Sequence, residues 1–253
     1  GDREVRVWCT SGEFLDPAFA CEFPLLVAAA NWHALASWAG QLVPDESALL
    51  VDIGTTTTDI IPLEHGLPVS RGLTDLERLQ HRELEYSGVA RTPLFALAHS
   101  VPFRGGECPL AAEVFATTLD LYLWSGRIPT DPQNRETANG QPATRDASRD
   151  RLCRMLCADS QEISDDELDR ICVFLEQVHL TRLKDALSHV AGQLPGTCET
   201  VILSGRGAFL AAQALREVPQ LTAARTIPIE EMFDPQVAEA ACAFAVARLA
   251  EDR

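Results

Sequence analysis

With 253 residues, 46% of them apolar, the chain is long enough to bury a substantial core as one large or two modest domains. Acidic residues outnumber basic ones 37 to 21, a net charge of −16, and a field of that sign argues against nucleic acid or an anionic membrane as partner. No run approaches the roughly 18 consecutive apolar residues of a membrane span, so a cytoplasmic globular protein is expected.

Glu4 to Trp8 alternates as a short strand, followed by a turn at Ser11-Gly12. Within Pro17 to Gly40, PLLVAAANWHALASWAG reads as one largely buried helix, with His33 packed beside Trp32 and Trp38. Leu49 to Leu63, LLVDIGTTTTDIIPL, has two apolar, β-branched runs around a Gly and four Thr, which reads as strand, tight turn and strand. Asp52 falls at the end of the first strand and Asp59 at the start of the second. Gly54 permits the tight turn, and the N–H groups and hydroxyls of Thr55, Thr56, Thr57 and Thr58 form a concavity suited to phosphate oxygens. The two carboxylates are then placed to hold a divalent cation, directly or through water. The alternative is an ordinary hairpin with a Thr-rich turn.

A turn at Glu64-His65-Gly66 leads into a third strand, Leu67 to Arg71. Leu73 to Tyr86, with interleaved charges, reads as a solvated face or connecting loop. Ser87 to Pro109 is irregular but apolar, the mark of a functional segment rather than a disordered one. Its Arg91 and Arg104, each beside a turn, read as ligands for phosphate or carboxylate or as surface residues. Leu110 to Trp124 reads as a helix whose Glu113 and Asp120 share a face, able to flank a cation or receive an amine. Ile128 to Ala143 is polar and rich in Pro and Gly, a candidate lid.

Thr144 caps a helix expected to reach Ala158, and Ser164 with Glu167 forms a capping box for a helix running to Leu194 with a bend. Thr92 to Leu194 is therefore expected to be mainly helical. In ETVILSGRGAFL, Glu199 to Leu210, a buried strand meets a turn at Gly205, Arg206 and Gly207 and then a helix start, an arrangement that receives an anion or a nucleotide. Arg225 to Ile229 is a last strand and Pro235 to Ala250 an Ala-rich terminal helix. The eight cysteines are scattered except Cys153 and Cys157, an i, i+4 pair on a helix rather than a zinc knuckle, so free thiols are expected.

DIGTTTTDI resembles the phosphate-binding hairpin of the actin-like ATPase superfamily, in the version carried by hydantoinase A and oxoprolinase relatives. Those relatives usually have a second Gly where Thr55 stands. The likeness extends through Arg91 to Leu123 and Thr137 to Leu152, and is strongest to proteins of tetrahydromethanopterin-linked one-carbon transfer and methanofuran biosynthesis. It implies an α/β fold in which residues 48–91 and 195–253 form a ribonuclease-H-like lobe and 92–194 a helical insertion. Residues 1–47 would be the remnant of a first lobe and its crossing helix, that lobe being largely absent.

The activity implied is transfer of an aminomethylfuran group from its diphosphate to an amine. Asp52 and Asp59 would be catalytic and hold Mg2+, and Gly54, Thr55 to Thr58, Gly205, Arg206 and Gly207 would bind phosphate. Arg91, Arg104 and Glu113 would contact a phosphorylated small-molecule substrate. Arg206 stands where the superfamily pattern has Gly beside adenosine, so it would offer its cation to phosphate instead. Alternatives are an ATP-dependent hydantoinase or oxoprolinase-type hydrolase, and a non-catalytic nucleotide-binding partner subunit. The sequence shows one phosphate hairpin where the superfamily has two. A fragment needing a missing N-terminal lobe or a second chain is therefore expected, and a homo-oligomer is left open.

Overall fold

A computed structural model describes residues 4–233, Val237 and 240–251. In chain order the elements are β1 (Val7–Trp8), β2 (Phe14–Leu15), α1 (Pro17–Ala20), α2 (Pro24–Val27), α3 (Asn31–Gly40), β3 (Ser47–Ile53), β4 (Thr58–Glu64), β5 (Leu67–Pro68), α4 (Asp75–Gln80) and β6 (Leu84–Glu85). They continue with α5 (Leu94–Leu97), β7 (Ser100–Phe103), β8 (Gly106–Pro109), α6 (Thr118–Trp124), α7 (Arg145–Arg154), α8 (Asp165–Ala191), β9 (Thr200–Ser204), α9 (Ala208–Leu215), β10 (Arg225–Pro228) and α10 (Ala241–Glu251). The start expected for the terminal helix, Pro235 and Gln236, lies outside the described residues. Among the described residues no helix is long and apolar enough to cross a membrane.

The residues group into two compact units, one from Gly1–Ile53, Thr58–Glu85 and Lys184–Arg253, the other from Gly54–Thr57 and Tyr86–Leu183. The first is built on a sheet of order β10-β9-β3-β4-β5, with β6 also on β4. β3 and β4 are antiparallel, and β9 and β10 run parallel to β3. Side chains alternate along a strand. Leu50, Ile61, Leu63 and Ile202 accordingly meet Leu35, Trp38 and Leu249 of α3 and α10 in one core cluster. Leu49, Val51 and Val201 alternate with them and are fully buried too, while α9 packs on β3 and β9. Full burial of each such side chain contributes about 1.5–3 kcal/mol.

Prolines punctuate this sheet. In β4 the Ile60 N–H donates to Glu83 and the Pro62 carbonyl accepts from Val69, so this side of β4 faces away from β3. The donor that Pro62 lacks falls between two short partners, β6 opposite Thr58 and Asp59, and β5 opposite Leu63 and Glu64. The outermost strands end in Pro68 and Pro228.

Local chemistry overrides three sequence-based expectations in this unit. The helix expected through Ala30 is broken into α2 and α3, with Ala29 in the left-handed region at φ 55°. The third strand shortens to Leu67–Pro68. The stretch from Leu73, expected to be solvated, folds into α4 behind a Thr74–Glu77 capping box, and both Arg78 and Glu83 are 1% exposed.

In the second unit, β7 and β8 form a hairpin and α6 packs on α7. The helix expected from Leu110 begins only at Thr118. The N–H groups of Leu110 and Ala111 are taken by His99 and Met155, and Thr117 with Asp120 forms the capping box that starts α6. Glu113 and Asp120 therefore share no helical face. Asp120 instead pairs with Arg151 at 2.6 Å, both 1% exposed. The segment expected to be a lid is tied by Asp131 and Ala143, which bridge each other. α7 stops at Arg154, so Cys153 is buried in the helix and Cys157 lies beyond it, exposed, at φ 56°. All eight cysteines are free.

Candidate functional site

In the first unit, the pairing registers collect polar groups at the carboxyl end of the parallel strands, where open α/β sheets receive ligands. Asp52 lies opposite Asp59 on β4 and opposite Ser204 on β9. Next comes Gly205 at φ +83°, where an added Cβ would lie 2.4 Å from the Ile53 carbonyl and 2.6 Å from Asp52 Oδ1. Only Gly lets the turn press against the carboxyl. The Gly207 N–H donates to Ile53 O at 2.9 Å, so this donor, expected on phosphate, is spent on structure. Gly207 caps α9, and Arg206 between the two glycines is exposed.

The two aspartates are in different electrostatic states. Burial, then the charge of Asp59, pushes Asp52 up to about 7, with the Ser204 hydroxyl pulling the other way. Burial also raises Asp59, while the guanidinium of Arg78 opposes the rise. Arg78 donates to Asp59 and, at 3.3 Å, to the Glu83 carbonyl, and it stacks 3.9 Å over Trp32. A guanidinium does not lose its proton in a protein, so its burial demands the Asp59 carboxylate as counter-ion. The Glu83 carboxylate accepts from the N–H groups of Arg71 and Gly72 at 2.7 and 3.1 Å, closing the cradle. Burial, then Arg78, lowers His33 to about 4, which keeps it neutral among Trp8 and Trp32.

With Asp59 engaged by Arg78, Asp52 is the carboxylate of the pair open to a cation. Among the described residues no three His, Cys, Asp or Glu side chains converge. One carboxylate alone does not make a metal site, so a cation there would have to bring most of its own ligands.

The expected phosphate turn, Gly54 to Thr57, belongs to the second unit. Thr58 is not part of it: it is buried in β4, paired with Ile53. The Gly54 N–H closes the turn on Thr57 O at 2.9 Å. Outside it, the Gly54 carbonyl accepts from Val89, and the Thr55 carbonyl from Ala90 and Arg91, at 2.8–3.0 Å. Gly88 packs so close that a Cβ there would be 2.6 Å from Gly54 O and Thr56 N. With the carbonyls pinned, the N–H groups of Thr55, Thr56 and Thr57 donate to nothing among the described residues. Three successive unspent donors on one turn are an arrangement that can receive an anion.

The other expected ligands are dispersed within this unit. Arg91 joins the turn through its backbone, and its exposed guanidinium is 3.4 Å from Glu136. Arg104 is at the β7–β8 turn, paired with Glu167 at 2.8 Å and with the Glu162 carbonyl at 2.7 Å, and this pairing holds Glu167 down to about 2. Glu113 lines a cavity beside α7. Arg78, Glu83 and Ser204 were missed in the sequence. The Thr74-Asp-Leu-Glu77 capping box was the signal that a helix, with an inward face, lay there.

The chain belongs to the hydantoinase/oxoprolinase family, which it matches over residues 2–253. A protein of Methanocaldococcus jannaschii is 34% identical over 245 residues, 97% of this chain and 71% of its own length. It bears the name (4-{4-[2-(gamma-L-glutamylamino)ethyl]phenoxymethyl}furan-2-yl)methanamine synthase. A protein of Methanococcus vannielii with the same name is 32% identical over 205 residues, 81% of this chain and 91% of that one. Among solved structures, nucleotide-free acetone carboxylase shares the fold at TM-score 0.56 and 15% identity. The match covers 96% of this chain and 34% of that one, so this chain spans about a third of that protein's length.

Proposed function

We propose that this chain is an enzyme of methanofuran biosynthesis that moves an aminomethylfuran-bearing methylene group from a diphosphate onto the phenol oxygen of a γ-glutamyl-tyramine acceptor. The name shared by its relatives describes a phenoxymethyl ether with a free methanamine. That moves the acceptor atom from the amine nitrogen expected from sequence to a phenol oxygen. The sheet order, with three antiparallel strands beside two parallel ones, supports a ribonuclease-H-like lobe as the scaffold.

The observation that carries the reading is the trio of unspent N–H groups at Thr55, Thr56 and Thr57, donors of the kind that stabilise a departing diphosphate. In the reaction the methylene–oxygen bond to diphosphate breaks with its electron pair on diphosphate, and the phenol oxygen forms the ether. The phenol proton passes to Asp52, whose carboxyl at about 7 can hold or release it near neutrality. Mg2+ brought by the diphosphate would neutralise the leaving charge from the phosphate oxygens, since a carboxyl that carries the phenol proton cannot also be its ligand.

The test supplies the furan diphosphate and γ-glutamyl-tyramine, with ATP as a separate arm, and quantifies ether, diphosphate and phosphate. One ether per diphosphate is expected. Phosphate from ATP without diphosphate would replace this reading with an ATP-dependent hydrolase, and no release in either arm with a non-catalytic subunit.

A further inference from the structure

Within the second unit, the end of α7 and the segments at 113–115 and 158–160 enclose a cavity of about 600 Å³, the size that accepts a small ligand. Arg151 is held in its wall by Asp120 at 2.6 Å and Asn139 at 3.2 Å, and its Nη2 has no partner although the residue is 1% exposed. Arg154, one turn on, makes no side-chain hydrogen bond or ion pair among the described residues, and neither Asp150 nor Asp159 forms an ion pair there. Among the described residues the Glu113 carboxylate accepts only the neighbouring Val114 N–H. Phe115 adds an apolar wall.

The sign of the lining is mixed, and that selects the ligand. A simple anion would face three carboxylates and a simple cation two guanidinium groups, each a like-charge cost. A ligand bearing both charges on adjacent atoms satisfies both sets. We propose that this cavity binds an α-amino-acid head group, its carboxylate against Arg154 and Arg151 and its ammonium against Glu113, Asp150 and Asp159. This deepens the proposed function, since a γ-glutamyl group carries such a head, and rests on that reading for the identity of the ligand.

Calorimetry on the whole chain tests it with γ-L-glutamyl-tyramine, its N-acetyl derivative, which lacks the ammonium, and tyramine, which lacks the amino-acid head. The first should bind at least about tenfold more tightly than the other two. Arg154→Met, at an exposed position whose side chain is unpartnered, should weaken it by about tenfold while melting like the wild type. Equal binding of tyramine, absence of binding, or an unchanged Arg154→Met affinity would overturn the proposal. The two readings fail separately: head-dependent binding with no diphosphate release sinks the reaction alone. Turnover with an unchanged KM in Arg154→Met sinks the cavity alone.

Discussion

Replacing Asp52 by Asn tests the electrostatics of the site without changing its shape. The folded protein holds the Asp52 proton up to about 7 against an ordinary value of 3.8. The folded state therefore binds that proton more tightly than the unfolded chain. The stability it contributes is fully present below the unfolded value and is lost as pH rises through about 7. At about 1.4 kcal/mol per pH unit the loss is about 4 kcal/mol by pH 8. Asn carries no charge to desolvate, so Asp52→Asn should be close to wild type in stability at pH 4. At pH 8 it should be more stable by up to about 4 kcal/mol, a rise in melting midpoint on the order of 10 °C. Denaturation of both proteins at pH 4, 6 and 8 reads this directly, and histidines that lose stability in acid cancel in the difference. Activity should fall by about 100-fold or more through loss of the proton-holding group. A stability difference that does not vary with pH, or a less stable variant at pH 8, would refute this account of Asp52.

Two further substitutions probe the same end of the sheet. Arg78→Met leaves Asp59 buried without its counter-ion and should cost about 3–5 kcal/mol in urea denaturation; wild-type stability would mean that Asp59 does not need Arg78. Gly205→Ala puts a methyl group against the Ile53 carbonyl in a left-handed backbone and should cost about 2–4 kcal/mol, so a melting midpoint equal to wild type would refute the close approach.

The hairpin was legible because its signals are local. Alternating apolar residues define β3 and β4, Gly54 the turn, and the register follows with Asp52 against Asp59. The partners that set the state of those carboxylates come from far along the chain. Arg78 reaches Asp59 from a helix of alternating charge whose composition matches a solvated surface. Ser204 meets Asp52 only through the parallel pairing of β9. Periodicity overran its range in two places. The apolar run before Gly40 hides a left-handed break at Ala29. The stretch from Leu110 to Thr117 is apolar enough for a helix, but its first N–H groups are claimed by His99 and Met155.

The prolines of the sheet bear on how the chain avoids self-association. An open sheet offers a row of unpaired backbone donors and acceptors to any passing strand, the template from which runaway aggregation grows. Here the outermost strands finish in Pro68 and Pro228, and the stretch of β4 between its two short partners carries Pro62. Each deletes a rung from a ladder that an intruding chain would have to complete. Apolar strands such as Leu49–Ile53 and Ile60–Leu63 would be hazardous if laid bare during synthesis. This sheet instead ends in places where strand addition gains little, so growth stops at its own borders.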